Sequence, residues 1–348
     1  MTRADAMPAP SILLTPRLVT DRPTEAPRHT AAHRAEYALA RTLETAVATL
    51  PEGAADAVGR SVGRIVHRLG IRRSTVEANL RLAYPRAPDE WIAATTLAAY
   101  EHLGREAAAI LRLSKLDQSA VIERTDVTRD WAKLDEALAE KRGVLLVTGH
   151  YGNWEIAAAA VAARGVPIAA IVRRQGNRLV DARLDGLRRR LGVETITQRD
   201  APSRVPRLLR KGGVVGIVGD QDARRSGVFV PFFGRLASTH RGPALFALRL
   251  GAPVLASVAR RLPGTPGRYR VAGERVETPR TGDLEADVRT LTAALAARLE
   301  AEIREAPEQY FWFHRRWKTA APSELVAAER GISESSQDPR GAPEEDES

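Results

Sequence analysis

Residues 143–172 read GVLLVTGHYGNWEIAAAAVAARGVPIAAIV, in which two short apolar runs flank a stretch with helical spacing. The first run (143–148) predicts a buried strand, residues over about 153–164 predict a helix, and the run at 167–172 predicts a second strand. A strand that is apolar along its whole length is typical of a parallel sheet with both faces covered. The stretch therefore predicts a strand–helix–strand unit of an α/β fold.

The same alternation continues toward the C-terminus. It predicts the fold class α/β, with a mostly parallel layered sheet and helices on both faces. Ligands of such sheets collect at the carboxyl ends of the strands. The further predicted elements are a helix over about 177–191, strands at 193–197 and 214–219, a helix over about 240–250, a strand at 253–259, an edge strand at 268–274 and a long helix over about 284–305.

An Ala-, Leu- and Arg-rich sequence with helical spacing precedes the sheet and predicts an α-helical N-terminal region. Within it, an apolar row recurs turn by turn with basic residues between its members. A basic amphipathic helix suits a membrane surface, but amphipathicity is also normal in a helix that packs on a core. Both interpretations stay open at this point. The apolar row is Val58, Val62, Ile65, Val66 and Leu69, and the basic residues are Arg60, Arg64, His67 and Arg68.

Composition limits the function classes. The chain has 348 residues with 44% hydrophobic residues, enough for a sizeable core. It contains no cysteine, which excludes disulfides, thiolate metal sites and a cysteine nucleophile. The net charge of +10 indicates an anionic partner such as nucleic acid, lipid, a phosphorylated substrate or an acidic carrier protein. No apolar stretch reaches 18 residues, and no secretory signal is recognisable, so a cytoplasmic protein is expected, with contact to a membrane surface still open.

Charge and proline content suggest the chain's organisation. Residues 1–28 are proline-rich without a clear period and predict a disordered lead-in, and 321–348 predict a disordered acidic tail. Between them we expect a single domain over 29–320. Its helical, membrane-associated part covers 29–115 and its α/β catalytic part covers 116–320.

The segment GHYGNWE places a histidine and a carboxylate at the first strand–helix corner. His150 emerges at the carboxyl end of the strand, Asn153 is suited to cap the next helix, and Glu155 falls in its first turn. A carboxylate in contact with the imidazole would fix its tautomer and make His150 a general base toward a hydroxyl. The alternative is a capped corner with a buried histidine.

A second polar segment, GDQD at 219–222, ends the predicted strand at 214–219. Asp220 could orient His150, hold a substrate hydroxyl or ligate a cation. The alternative is an aspartate-rich turn that caps the next segment.

Three further segments have two readings each. Seven arginines lie within 173–190, and we expect one or two to face the cleft while the rest form a solvated helix face. The apolar residues of 226–234 predict a loop that contacts a fatty chain or packs in the core. The aromatic and basic residues of 308–317 could suit nucleic acid or a membrane interface.

Motifs for other chemistries lack the context that they require. His29 and His33 are four residues apart, but HTAAH lacks the glutamate of a zinc-binding helix. The Gly-x-Ser-x-Gly string at 59–63 lies within a stretch of helical spacing and not at a strand–helix turn, and no phosphate-binding loop occurs. A base that activates the acceptor directly, without an acyl-enzyme, is therefore the simpler mechanism.

Over about residues 33–320 the chain resembles the late acyltransferases of lipid A biosynthesis, the lauroyl/myristoyl transferase family. The resemblance rests on six motifs that occur in the same order as in that family. Each motif alone is a modest signal, but the six in this order are specific to the family. The N-terminal EANLRLAYP at 77–85 also resembles the family's helical lead-in. Many members begin with an apolar membrane helix, whereas this chain has an Ala-rich amphipathic segment (31–50). The shared motifs are HYGNWE at 150–155, QGN at 175–177, RRRLG at 188–192, GDQD at 219–222, VPFFG with Ala-Ser-Thr within 230–239, and PEQYFWFHRRWKT at 307–319.

The resemblance implies transfer of a fatty acyl chain from acyl carrier protein or acyl-CoA to a hydroxyl of a lipid A precursor or similar glycolipid. It implies His150 as catalytic base and Glu155 as its acidic partner, with no metal or bound cofactor. It also implies a peripheral or shallowly anchored location at the cytoplasmic face of the inner membrane. The residues expected to bind substrate are Asn153, Arg173, Asn177, Arg188, Arg190, Asp220 and Gln221.

Two other functions remain as alternatives. One is a basic nucleic-acid-binding protein that uses the arginine run and the terminal aromatics, although no nucleic-acid module is recognisable and no such partner is expected. The other is a metal-assisted hydrolase that uses His150, Asp220 and Asp222.

Overall fold

The apolar runs of the second half form the strands of a central sheet. The structure, a computed structural model, describes residues 30–126 and 131–325. The predicted lead-in (1–28) and the predicted tail beyond residue 325 lie outside these ranges. The strands are β1 (Thr125–Asp126), β2 (Val144–Thr148), β3 (Ile168–Val172), β4 (Val193–Thr197), β5 (Val214–Val218), β6 (Val228–Phe232), β7 (Arg235–Thr239), β8 (Val254–Arg261) and β9 (Tyr269–Val276).

Helices surround the sheet and also build the N-terminal part of the chain. Short 3₁₀ turns occur at Arg112–Lys115, Arg224–Ser226 and Pro307–Gln309. The α-helices of the described residues are α1 (Ala31–Thr49), α2 (Glu52–Arg68), α3 (Arg73–Ala83), α4 (Asp89–Leu111), α5 (Gln118–Arg124), α6 (Trp131–Ala139), α7 (Trp154–Ala163), α8 (Arg178–Arg190), α9 (Ala201–Arg210), α10 (Gly242–Leu250) and α11 (Leu284–Glu305).

Seven strands form the main sheet in the order β1-β9-β8-β2-β5-β3-β4. The pairs from β8 to β4 are parallel, whereas β9 runs antiparallel to β8. The predicted fold class, a mostly parallel α/β sheet preceded by helices, is confirmed. The predicted edge position of 268–274 is wrong, because the two-residue strand β1 pairs with the outer side of β9.

Side chains alternate between the two faces of the sheet, as the strand period requires. From β2, Leu145 and Val147 pack with residues of α9, α10 and α11. Val144 and Leu146 pack with residues of α6 and α7 on the opposite face. Both faces of the strand are thus buried, which explains its uninterrupted apolar sequence.

The N-terminal helices join the sheet through a shared core. Leu80 of α3 and Tyr100 of α4 are fully buried in one cluster with Phe232 of β6, Ile303 of α11 and Trp312. The helical part therefore packs directly on the α/β part.

Helix α2 packs on α4 through glycines. A Cβ atom on Gly59 would lie 2.5 Å from the carbonyl oxygen of Gly104, and one on Gly63 would lie 2.1 Å from that of Tyr100. Because this glycine face lies against the protein, four members of the apolar row, Val58, Val62, Ile65 and Leu69, are exposed, and only Val66 packs on the core. The core-packing interpretation is therefore wrong for most of the row. No helix in the described ranges has the length and apolarity needed to cross a bilayer.

The segment 226–234, predicted as a loop, instead contributes β6 to an antiparallel hairpin with β7. Its two-residue turn has positive φ at Phe233 (53°) and Gly234 (67°), and such turns usually carry Asn-Gly. The first position is therefore unusual, which hides the turn from sequence analysis. Val230, Phe232 and Phe233 are buried, so the core reading of this segment holds.

The C-terminal segment 308–317 also packs inward. Tyr310, Trp312, Phe313 and Arg316 are buried, and Arg316 donates hydrogen bonds to the Ser238 carbonyl and the Thr239 hydroxyl. The suggestion that these aromatics face nucleic acid or a membrane is therefore wrong, because they form part of the core.

Candidate active site

A cleft of about 1330 Å³ opens at the carboxyl ends of β2, β3 and β5. His150, Arg173 and Gln221, which follow these three strands, all line it. This is the edge at which ligands of parallel sheets bind. The cleft is therefore the candidate active site.

His150 and Asp220 lie side by side because their strands are neighbours in register. Thr148 of β2 pairs with Val218 of β5, and each of the two polar residues follows two positions later. The imidazole Nδ1 lies 2.7 Å from Asp220 Oδ1, and the His150 backbone N–H donates to Oδ2 at 3.0 Å. This contact is the geometry expected if Asp220 orients His150, one of the roles considered for it.

The hydrogen-bond pattern fixes the histidine tautomer. A carboxylate only accepts, so Nδ1 carries the proton and Nε2 presents its lone pair. Burial of the imidazole opposes its protonation, but the charge and hydrogen bond of Asp220 outweigh burial, and the pKa of His150 is raised. Burial likewise opposes ionisation of Asp220, but contact with His150 keeps the Asp220 pKa below its usual range. The pair is thus a base with a fixed, negatively charged partner.

Gly149 makes this close approach possible. A Cβ atom at this position would lie 2.4 Å from the Leu299 side chain and 3.2 Å from Asp220 Cγ. The Phe311 backbone N–H donates to the His150 carbonyl at 2.9 Å and fixes the other side of the turn.

Glu155 does not contact the imidazole, which corrects the predicted His–Glu pair. Its two carboxylate oxygens accept from Arg188, at 2.9 Å from Nε and 2.5 Å from Nη2. The first turn of α7 directs the side chain toward α8, whose last turn carries Arg188. The ion pair lines the cleft beside His150, so Glu155 orients an arginine rather than the base.

Asn153 caps α7, as predicted, with Oδ1 accepting from the Ile156 N–H at 3.0 Å. Its Nδ2 donates inward to Glu106 Oε2 at 2.7 Å, so the side chain is not presented to the cleft. Glu106 also accepts from Arg261 Nε at 2.6 Å and from the Tyr269 hydroxyl at 3.0 Å. Asn153 thus joins a buried polar network that holds the corner, and substrate binding by this residue stays a prediction.

Two other predicted substrate ligands have structural roles. Asn177 caps α8 and donates from Nδ2 to the His33 carbonyl and to Glu36, both at 2.9 Å. Arg190 donates to the Leu113 carbonyl at 2.6 Å. Neither side chain lines the cleft. Polar residues of these types cap and connect elements as readily as they bind ligands.

Several residues that line the cleft were not predicted from the sequence. His314 lies with its ring centre 6.5 Å from that of His150 and donates from Nδ1 to the Phe311 carbonyl at 3.0 Å. Burial lowers its pKa, as it does for His240, which also lines the cleft. The motif HRRW at 314–317 is recognisable in the sequence, but its aromatic and basic residues predict a surface and not a cleft. The exposed cations that line the cleft are Arg72, Arg173, Arg224, Arg315 and Lys318.

A smaller apolar pocket of about 110 Å³ adjoins His150 on the side of α4. Trp154 and Phe313 form part of its wall, and His150 lies at the junction with the larger cleft. The residues that α4 contributes are Ala99, His102, Leu103, Glu106, Ala107 and Ile110.

The donors considered for a metal-assisted hydrolase do not form a cation site. His150 and Asp220 bind each other, and Asp222 Oδ2 accepts from the Thr319 hydroxyl at 3.0 Å. Within 30–126 and 131–325, no three His, Asp or Glu side chains are grouped to hold a metal ion.

Comparison with known proteins gives a match over most of the chain. The sequence model of the family described as "Bacterial lipid A biosynthesis acyltransferase" matches residues 27–319. The match includes the cleft residues and both polar segments that meet at His150 and Asp220.

Individual relatives agree with this match. The chain is 28% identical over 276 residues to the lipid A biosynthesis lauroyltransferase of Escherichia coli K12, which is 78% of this chain and 88% of that protein. It is 29% identical over 281 residues to a phosphatidylinositol mannoside acyltransferase of Mycolicibacterium smegmatis, with the same shares covered. It is 26% identical over 289 residues to the lipid A biosynthesis myristoyltransferase of Escherichia coli K12, covering 82% and 87%.

Proposed function

This chain belongs to the bacterial lipid A biosynthesis acyltransferase family, and on that premise we propose that it transfers a fatty acyl chain from a thioester donor to a hydroxyl of a membrane glycolipid. The relatives act, by their names, on lipid A or on phosphatidylinositol mannoside. A lipid A precursor or a similar glycolipid is the acceptor class that this proposal carries to the present chain.

In the proposed reaction His150 Nε2 removes the proton of the acceptor hydroxyl as the hydroxyl oxygen attacks the thioester carbonyl carbon. The carbon–sulfur bond then breaks, and the imidazolium returns the proton to the departing thiolate. Asp220, bonded to Nδ1, stabilises the imidazolium between these steps. The products are an ester and a free thiol, and no acyl-enzyme forms.

Arg188 and Gln221 are the proposed polar contacts of the substrates. Gln221 Nε2 lies 3.4 Å from His150 Nε2. From this position its N–H can donate to the acceptor hydroxyl or to the oxyanion that develops on the thioester carbonyl. Arg188, held by Glu155, presents a cation in the same cleft. Arg173, exposed at the rim, suits an anionic group of either substrate.

The apolar pocket beside α4 is the proposed site of the fatty chain. Its walls are mostly apolar, and it meets the polar cleft at His150, where the carbonyl of a bound thioester must lie. An amphiphilic substrate would thus lie with its chain in the pocket and its polar group in the cleft.

We place the enzyme at the cytoplasmic face of the inner membrane as a peripheral protein. The acceptor is a membrane lipid, and the net charge of +10 suits both anionic lipid head groups and an acidic acyl carrier protein. Acyl carrier protein is therefore our first choice as donor, and acyl-CoA is the second.

The observation that carries this proposal is the His150 Nδ1–Asp220 contact of 2.7 Å inside the cleft. The test uses purified full-length protein, detergent-dispersed glycolipid and either lauroyl-acyl carrier protein or lauroyl-CoA, with the product followed by mass spectrometry. We expect a mass increase of one acyl chain and release of one thiol per ester.

The matched control is His150→Ala, which we expect to reduce transfer by at least about 100-fold while the fold is retained. Equal rates in His150→Ala and the parent protein would contradict the mechanism. Thioester consumption without any ester product would contradict the proposed function.

A further inference from the structure

Helix α2 presents an apolar row to the outside of the molecule. Of the nine large apolar side chains most exposed in the described residues, seven lie on α1, on α2 or in the turn that follows α2. We call these seven residues the α2 surface. They are Leu39 and Leu43 of α1, Val58, Val62 and Ile65 of α2, Leu69 at the C-cap of α2, and Ile71 of the turn.

Backbone packing fixes the orientation of this surface. Successive residues of a helix advance by about 100°, so Val58, Val62, Ile65 and Leu69 fall within about 60° of one another. Gly59 and Gly63 lie on another face, against α4. Helix α2 cannot rotate its apolar row inward without driving larger side chains into the backbone of α4 at Tyr100 and Gly104.

The flank of the surface is basic. Residues 57–73 contain five arginines and no acidic residue. Arg64 and Arg73 are compensated by Glu101 and Glu77, at 2.6 Å and 2.7 Å, whereas Arg68 and Arg72 are exposed cations of this flank. Apolar residues with adjoining arginines match an anionic bilayer, in which acyl chains lie beneath phosphates.

The surface also leads to the cleft. Leu69 is 69% exposed and Ile71 is 52% exposed. The next residue, Arg72, lines the cleft and donates to the Phe313 carbonyl at 2.9 Å. A bilayer that contacts the surface would therefore lie beside the mouth of the cleft.

We propose that the α2 surface docks the protein on the anionic face of a bilayer, so that a glycolipid acceptor enters the cleft beside Arg72 without leaving the membrane. This inference rests on the proposed function, because a lipid acceptor is what makes the position of the surface useful. The docked residues are side chains of helices α1 and α2 and of the turn that follows α2.

The test is cosedimentation of the full-length chain with vesicles of phosphatidylcholine containing 30% phosphatidylglycerol, and with vesicles of phosphatidylcholine alone. We expect at least tenfold tighter binding to the anionic vesicles. The double variant Ile65→Asp/Leu69→Asp should bind them at least tenfold more weakly, because it places charge in the apolar row. The control Leu284→Asp, at an exposed leucine of α11 outside the surface, should bind like the parent chain.

Activity separates this inference from the proposed function. With detergent-dispersed substrate the double variant should keep the parent rate, and with acceptor embedded in vesicles it should lose at least tenfold. Parent-like vesicle binding by the double variant would overturn the docking proposal while leaving the enzyme assignment intact. If the double variant changes from oligomer to monomer and still binds vesicles like the parent chain, the surface mediates self-association and not membrane docking.

Discussion

His150 and Asp220 occupy equivalent positions beyond two adjacent parallel strands, and their side chains are in contact. Thr148 and Val218 are register partners, and two residues later Nδ1 of the histidine lies 2.7 Å from the aspartate. The backbone geometry of the sheet thus brings together residues 70 positions apart. The proton transfer proposed for this protein depends on this pairing.

Glu155 should affect activity through Arg188 and not through the base. We expect Glu155→Gln to lower acyl transfer about 10- to 100-fold, because the arginine loses the partner that holds both of its bonding nitrogens. The pH dependence of kcat/KM should keep the midpoint of the parent enzyme. A shifted midpoint in Glu155→Gln would show that the carboxylate acts on His150 after all.

The buried network beneath the corner should be essential for stability. Glu106→Ala removes one of the two carboxylate partners of Arg261, which is 4% exposed, and leaves only Asp56. We expect a loss of about 3–5 kcal/mol in the free energy of unfolding. Urea denaturation followed by circular dichroism measures this. The control is Glu194→Ala, which removes the partially exposed Arg204–Glu194 pair and should cost less than about 1 kcal/mol. Similar losses in both variants would refute the role of the network.

The α2–α4 contact should not tolerate a side chain at Gly104. A Cβ atom there would lie 2.0 Å from the Gly59 carbonyl oxygen, so Gly104→Ala should destabilise the protein by at least about 1–3 kcal/mol. Gly53→Ala, at a helical glycine with nothing within 4 Å, should be neutral or stabilising by up to about 1 kcal/mol. Thermal unfolding of both variants checks this, and an unchanged melting temperature in Gly104→Ala would contradict the packing described.

The pocket beside α4 should set the preferred acyl chain. Ala107 is an exposed residue in its wall, so Ala107→Phe can fill the pocket at little cost to the fold. We expect the ratio of kcat/KM for a 12-carbon donor over an 8-carbon donor to fall at least tenfold. Ala94→Phe, at another exposed position of α4 that does not line the pocket, serves as control. An unchanged ratio in Ala107→Phe would place the chain elsewhere.

The strands and the position of His150 were predictable because the buried strands are short, uninterrupted apolar runs, and His150 follows one of them. The identity of its partner was harder to predict, because β2 and β5 are neighbours in space but not in sequence. Glu155 lies close in sequence, yet the first turn of α7 directs it to Arg188. Because Glu155 is close to His150 along the chain, the sequence favours Glu155 as the partner of the imidazole, whereas the partner in the structure is Asp220.

Polar residues at helix ends account for other differences between prediction and structure. Asn153 and Asn177 both lie in shared motifs, but each caps a helix and bonds into the N-terminal helices. The sequence alone does not show whether an asparagine side chain caps a helix or faces the cleft. The exposure of Val62 and Ile65 was equally hidden, because it depends on where the glycines of α2 pack against α4.

The most direct test of the central claim is the pH profile of acyl transfer by Asp220→Asn. The base must be neutral to accept a proton, so activity rises with pH through the pKa of His150. The charge and hydrogen bond of Asp220 raise the pKa of His150 above its usual value, whereas burial of the imidazole acts to lower it. Without the carboxylate charge, burial remains, and the rising limb should move to lower pH.

In this experiment kcat/KM is measured from pH 5 to pH 9 for the parent chain and for Asp220→Asn, with the melting temperature as a check of folding. We predict a rate about 10²–10⁴-fold lower at neutral pH and a midpoint displaced toward acid. A folded Asp220→Asn protein with the parent rate and the parent midpoint would contradict the assignment of His150 and Asp220 as the catalytic pair.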